Sequence, residues 1–235
     1  MTRSPCALIV AHGSPADPEP QEAALQALAQ AVGALRPGWI VRGATLAAPG
    51  ALEAALAGLS APLIYPFFMA EGWFTGRELP RRLRAAGVTD ARQVPPFGID
   101  PDLPDLMARV ATEAARVADM DPATATLLLA AHGSKISRTS ADSTHAMVRA
   151  LADRTAFGRI TCGFVEEAPF LADAARDIGP GVCLPFFALR AGHVIGDVPE
   201  ALAEAGFDGP LLPEIGAHPQ VAALIAASLL RASRA

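Results

Sequence analysis

The sequence predicts an α/β fold written twice: two similar domains, each a parallel sheet with helices on both faces, related by internal duplication. Three observations predict it. Segments recur at a near-constant spacing, short apolar runs alternate with longer amphipathic stretches, and the 21 prolines and 20 glycines are spread along the chain as punctuation between short elements.

The repeat is read from ordered anchors. LIVAHGS at 8–14 matches LLAAHGS at 128–134, which puts His132 120 residues after His12. Gly43 and Gly163, Pro49 and Pro169, Gly72 and Gly192, and Gly76 and Gly196 keep the same spacing. FGIDP at 97–101 answers IGAHP at 215–219, now 118 apart. PFFMAEGWFTGRELP at 66–80 answers PFFALRAGHVIGDVP at 185–199, and at the 120-residue spacing of the glycines His193 stands where the first copy has Trp73. The domains are expected at 1–119 and 120–235, joined around 118–125 where Asp-Pro interrupts the pattern.

In the second copy the runs at 126–131, 160–165 and 181–186 read as buried strands, with 211–215 a weaker fourth. Helical spacing and composition fill 141–154, 169–177, 198–205 and 219–232, and the first copy repeats the order, with a helix at about 20–35. Strict alternation of strand and helix implies a parallel sheet covered on both faces.

Composition narrows the function. With 51% hydrophobic residues in 235, the chain can bury a substantial core. A net charge of -5 with 19 Lys and Arg gives no basic field for nucleic acid, and the run Arg77, Arg81, Arg82, Arg84 reads as a solvated helix face. Cys6, Cys162 and Cys183 are odd in number and lack C-x-x-C spacing, which argues against disulfides and cysteine metal sites and for a reducing compartment. The apolar run at 6–11 is shorter than the ~7–15 residues of a signal-peptide core, and no stretch reaches the ~18 apolar residues of a membrane span, so the expected location is the cytoplasm.

In open α/β sheets ligands collect at the carboxyl ends of the strands. His132 follows the first strand of the second copy, Glu166 the second, and His193 lies in the loop after the third. Gly133 and Ser134 are explained by a tight turn, with serine capping the next helix; a histidine is not. Two imidazoles and a carboxylate suit zinc, cobalt, nickel or ferrous iron, and three ligands leave coordination positions open. At the constant spacing His132 maps to His12, but Glu166 maps to Leu46 and His193 to Trp73. One half is therefore expected to carry a working site and the other a scaffold in which His12 is structural.

AHGS after the first strand, FVEEAP after the second, PFFALRAGHVIGDVP after the third and IGAHP before the last helix together resemble the class II chelatases, specifically the sirohydrochlorin cobalto- and ferrochelatases of cobalamin and siroheme synthesis. The likeness spans nearly the whole chain. It implies two flavodoxin-like domains facing each other across a cleft for a flat tetrapyrrole, a fused pseudo-dimer that is a monomer where short members pair two chains. It implies that His132 and His193 bind the metal and help take up pyrrole protons, with Glu166, or its neighbour Glu167, completing the site. The histidines here sit in the second half, whereas many long members keep them in the first.

The resemblance implies a divalent metal (Co2+, Fe2+ or Ni2+) as substrate, a tetrapyrrole as the other substrate, and no organic cofactor, nucleic acid or membrane partner. Sirohydrochlorin is ringed with carboxylates, so Ser134, Lys135, Arg138 and Arg190, beside the motifs, are candidates to orient it. Trp73, Phe186 and Phe187 are candidates to lie against the macrocycle, with core packing the alternative for both phenylalanines. His145, in a helix, and His218, at a helix start, are read as structural or supporting. The alternative function is a carrier that binds metal or tetrapyrrole without turnover. A hydrolase using Ser134 with His132 is disfavoured by the absence of a G-x-S-x-G elbow.

Overall fold

The computed structural model describes residues 4–190 and 192–234, with the backbone alone at His193. The first repeat runs β1 (Cys6–Ala11), α1 (Glu19–Ala34), β2 (Ile40–Thr45), α2 (Ala51–Leu56), β3 (Leu63–Pro66), a π turn (Phe74–Glu78) leading into α3 (Leu79–Ala85), β4 (Arg92–Gln93), a 3-10 turn (Phe97–Ile99) and α4 (Leu103–Val117). The second runs β5 (Thr126–Ala131), α5 (Thr139–Ala152), β6 (Arg159–Phe164), α6 (Leu171–Ala175), β7 (Gly181–Pro185), a π turn (His193–Asp197) leading into α7 (Val198–Glu204), a 3-10 turn (Ile215–Ala217) and α8 (Val221–Arg234). The strands pair in parallel in the orders β2-β1-β3-β4 and β6-β5-β7. Among the described residues no helix is long and apolar enough to cross a membrane.

The first strand of each repeat is an inner strand, apolar except for Thr126 at the start of β5, and all six of its residues are buried. On one face of the first sheet Leu8, Val10, Ala44 and Ile64 pack against Leu52 and Leu56 of α2 and Leu79 and Leu83 of α3. On the other, α1 comes so close to β2 that a Cβ at Gly43 would stand 2.6 Å from the Leu25 carbonyl oxygen. The second sheet packs Leu128, Ala130 and Cys183 against Leu171 and Ala175 of α6 and Val198 and Leu202 of α7. Helices thus cover both faces of the first sheet, as alternation requires.

The expected fourth strand at 211–215 reduces to one bridge between Leu211 and Cys183. The Cys183 N–H donates to the Pro210 carbonyl at 2.8 Å and the Leu212 N–H to the Cys183 carbonyl at 2.9 Å, but the next donor of β7 along this ladder would be residue 185, a proline without an N–H. Helix 169–177 shortens to α6, because Phe170 (φ -63°, ψ 149°) and Arg176 (φ -71°, ψ 133°) are extended and Asp177 (φ +55°) is left-handed.

Packing divides the chain differently from the repeat. One compact unit holds residues 1–100 with 219–235, the other 101–218. The expected domains 1–119 and 120–235 are therefore units of sequence duplication rather than of packing, since the last helix of each repeat belongs to the other unit. In the first unit Arg36 Nε donates to the Ala226 carbonyl at 2.8 Å, and the buried Asp100 accepts from Tyr65 Oη at 3.0 Å and Arg231 of α8 at 3.4 Å. In the second, Arg154 Nε donates to Asp105 Oδ1 of α4 at 2.8 Å.

The repeat also slips by one residue at a time. β1 and β5 correspond at 120, but Gly43 pairs with Ile9 and Cys162 with Leu129, so the second strands correspond at 119. The π turns correspond at 119 and the 3-10 turns at 118. Two mappings expected from a constant spacing are corrected: the counterpart of Glu166 is Ala47, not Leu46, and that of His193 is Phe74, not Trp73. The glycines of the two PFF segments are consequently out of register by one.

Gly43→Ala places a carbon against backbone that cannot swing aside. It is expected to destabilise the chain by about 1–3 kcal/mol, read from the urea midpoint.

Candidate functional site

β5 ends in His132-Gly133-Ser134. Gly133 has φ +74°, and a Cβ there would stand 2.9 Å from both Phe164 Cβ and Glu167 Cγ, so only glycine lets the chain turn this close to the end of β6. The turn leaves His132 exposed, with Nδ1 2.9 Å from the Gly133 carbonyl oxygen. A carbonyl only accepts, so Nδ1 carries the proton and Nε2 keeps the lone pair.

The strand ladder then fixes its neighbour. The Glu166 N–H donates to the His132 carbonyl at 2.9 Å, placing these residues side by side at adjacent strand ends. The adjacent glutamates have different work. Glu167 Oε1 accepts the Ser134 N–H at 2.8 Å and holds the turn, whereas Glu166 Oε2 lies 3.1 Å from Lys135 Nζ at the partly open rim. Ser134 Oγ accepts the N–H groups of Ile136 (3.2 Å) and Ser137 (3.1 Å), so the serine shapes the loop instead of capping the next helix, which begins only at Thr139.

The structure thus brings together His132, Ser134, Lys135, Glu166 and Glu167. Arg138 immediately precedes α5 and Arg190 lies in the loop after β7, both exposed. His193 opens the second π turn, but its side chain lies outside the described residues. Among the described residues no three His, Cys, Asp or Glu side chains converge to hold a metal ion.

The first repeat keeps the turn and changes the chemistry. His12 Nδ1 lies 2.7 Å from the Gly13 carbonyl oxygen, and the Ala47 N–H donates to the His12 carbonyl at 2.9 Å, so a methyl stands where Glu166 stands in the other half. Phe74 sets its ring 4.4 Å from that of His12 at 76°, edge to face, and Trp73 packs on Phe74 at 5.0 Å. Beside it the buried Glu78 accepts from Arg81 Nε and Nη2 (2.9 and 2.8 Å) and Arg82 Nε (2.7 Å), while Arg82 Nη1 donates to the Leu46 carbonyl (2.7 Å). Two of the four arginines read as a solvated face are therefore tied to this carboxylate. The hydrogen bonds from Arg81, then Arg82, hold its carboxyl down to about 2.

Other candidates are placed elsewhere. Phe186 and Phe187 are buried in the core, which removes them as macrocycle faces, while Trp73 is 60% exposed. His145 lies on α5 with Nδ1 3.5 Å from Cys162 Sγ, inside β6 rather than at its end. Burial pushes the Cys162 thiol up to about 11 and the Cys183 thiol to about 12, so neither offers a thiolate. His218 follows the 3-10 turn, and burial, then the charge of Arg109, hold its imidazole below the usual range.

Sequence reasoning passed over the apolar rim. The loops after β5, β6 and β7 each present a large exposed hydrophobic residue: Ile136 (99% exposed), Phe170 and Ile195. Ile136 and Ile195, apolar residues in expected loops beside the site, were the available signal, whereas Phe170 falls in the stretch 169–177 expected as helix.

Comparison with known proteins gives a consistent picture. The CbiX family model matches twice, over residues 6–114 and 126–232. A solved CbiX, described as the terminal enzyme for biosynthesis of siroheme in denitrifying bacteria, is 51% identical over 97% of this chain and 99% of that one, with a TM-score of 0.88. SirB from Bacillus subtilis with Fe3+ is 16% identical over 97% of this chain and 95% of its own, with a TM-score of 0.72. The sirohydrochlorin chelatase SirB from Bacillus subtilis subspecies spizizenii, in complex with cobalt, is 16% identical over 98% and 96%, with a TM-score of 0.71. These last two show the shared fold alone. No curated protein matches the chain.

The Glu78 contacts imply a pH signature. Its folded pKa lies below the ordinary 4.5, so its stabilisation is complete above pH 4.5 and is lost as pH falls towards about 2. Glu78→Gln is expected to lower the melting temperature at pH 7 and to flatten its fall between pH 4.5 and 2 in thermal denaturation.

Proposed function

Because the chain belongs to the CbiX family, we infer that it inserts a divalent metal, cobalt or ferrous iron, into a sirohydrochlorin-type tetrapyrrole, with the second repeat as the working half. The 51% identity to a CbiX of siroheme biosynthesis supports the reaction. The placement of the site rests on one observation in the opposite repeat, the ring of Phe74 lying 4.4 Å from that of His12. Phe74 and His12 are the counterparts of His193 and His132. A pair of positions that sets two rings in contact in one half carries two imidazoles in the other, with Glu166 at the strand end beside them.

Metal insertion requires an ion stripped of part of its water and a base for two pyrrole N–H protons. His132, Glu166 and His193 replace some of the waters, and the carboxylate charge offsets part of the cost of desolvating the cation. Because Nδ1 of His132 holds its proton against the Gly133 carbonyl, Nε2 is the single lone pair of that ring. It binds the ion or accepts a proton, never both. As the metal passes to the macrocycle nitrogens, Nε2 is freed to take a pyrrole proton, so release and proton uptake occur at one atom. The overall balance is one M2+ in and two H+ out.

Glu166 is assigned the ligand role over Glu167, which is engaged with the Ser134 N–H under the turn. The exposed Ile136, Phe170 and Ile195 suit the faces and edge of a flat ring. Lys135, Arg138 and Arg190, with Ser134 shaping their loop, suit its peripheral carboxylates.

The test is continuous absorbance of sirohydrochlorin with Co2+ or Fe2+ at catalytic protein concentration. Repeated turnover is expected from the wild type, and His132→Ala or His193→Ala should cost about 10²-fold or more. His12→Ala should keep most of the rate. Equal loss in the His12 and His193 variants would remove the assignment to the second half, and a single stoichiometric event would make the protein a carrier.

A further inference from the structure

We propose that Lys135 holds the place of the metal on Glu166: its ammonium group occupies the carboxylate until the ion arrives, is displaced by it, and is then free to pair with a carboxylate of the tetrapyrrole. The proposal rests on the reading of Glu166 as a metal ligand. Lys135 Nζ lies 3.1 Å from Glu166 Oε2, with 74% and 32% of the two side chains exposed. The backbone that carries the lysine is pinned, since Ser134 donates its N–H to Glu167 and accepts at Oγ from the two residues after Lys135. The side chain beyond it is a flexible four-carbon stem. A fixed base and a mobile head let one group stop at the carboxylate and swing away without moving the turn.

Charge arithmetic makes the two occupants competitors. A metal ion and an ammonium on the same carboxylate repel each other, so loading the ion ejects the lysine. The first repeat supports the pairing of roles: the counterpart of Lys135 is Pro15 and that of Glu166 is Ala47, so cation and carboxylate are absent together where the site has changed character. An exposed pair is a weak competitor, which serves an enzyme that must take up an ion and give it away. The lysine offsets part of the carboxylate charge before the ion arrives, and its release coincides with the moment at which an anionic substrate needs a partner.

A double-mutant cycle on the intact chain tests this with Co2+ alone, in competition with a chromophoric chelator at fixed ionic strength and with no tetrapyrrole present. Lys135→Met is expected to tighten Co2+ binding roughly two- to fivefold, the weight of an exposed ion pair. In the Glu166→Gln background, itself weaker for Co2+, the same change should have little effect. Tightening of equal size in both backgrounds would reveal only the general field of a nearby positive charge and overturn the proposal. So would unchanged or weaker binding by Lys135→Met when Glu166→Gln does weaken it. If Glu166→Gln leaves Co2+ affinity intact, the ligand assignment beneath the proposal fails instead, and both fall.

Discussion

The site depends on where parallel strands stop. The hydrogen bond from the Glu166 N–H to the His132 carbonyl, at 2.9 Å, is the last rung between β6 and β5. It places a carboxylate-bearing and an imidazole-bearing residue side by side before any side-chain contact is considered. Gly133, in the left-handed region with no room for a Cβ, then turns the chain aside and aims the imidazole outward through the Nδ1 contact to its carbonyl. Backbone geometry thus sets position and tautomer together, and the apolar burial of β5 keeps it rigid. A site on sheet ends is held by the most constrained part of the fold.

Duplication shows which parts of that arrangement the two halves share and which they do not. Both repeats retain the strand, the histidine, its carbonyl contact and the last rung of the ladder. They differ in what projects from it: Ala47 for Glu166, Phe74 for His193, Pro15 for Lys135. In the first repeat His12 is enclosed by the edge of an aromatic ring, and the nearby carboxylate, Glu78, is committed to two arginines. The imidazole there has an aromatic packing partner, the position beside it carries the methyl of Ala47, and the carboxylate at the end of β2, Glu22, accepts the N–H and the hydroxyl of Thr45.

Much of this was legible in the sequence, for identifiable reasons. β5 was expected at its observed bounds because a threonine and five consecutive apolar residues ending at His-Gly leave little freedom, and His132 and Glu166 were placed at strand ends by the same logic. The counterparts were misread because matching glycines, Gly72 with Gly192 and Gly76 with Gly196, outweighed the closing prolines Pro80 and Pro199, which already gave the one-residue slip. Glycine is permissive and drifts; the proline opening a helix does not. The Lys135 pair, the Glu167 turn contact and the arginine clamp on Glu78 were not legible, because they join residues whose proximity only the folded loops create. The assignment of α4 and α8 to compact units was equally hidden, since an amphipathic helix does not state which sheet it will cover.

The central claim is that a single cation is gripped by the second repeat alone. Anomalous scattering from a cobalt-soaked crystal tests it most directly. The account predicts one peak per chain, about 2.0–2.2 Å from His132 Nε2 and a Glu166 oxygen, the distances ordinary for imidazole and carboxylate ligation of such ions. A peak at His12, or one remote from His132 and Glu166, would contradict it.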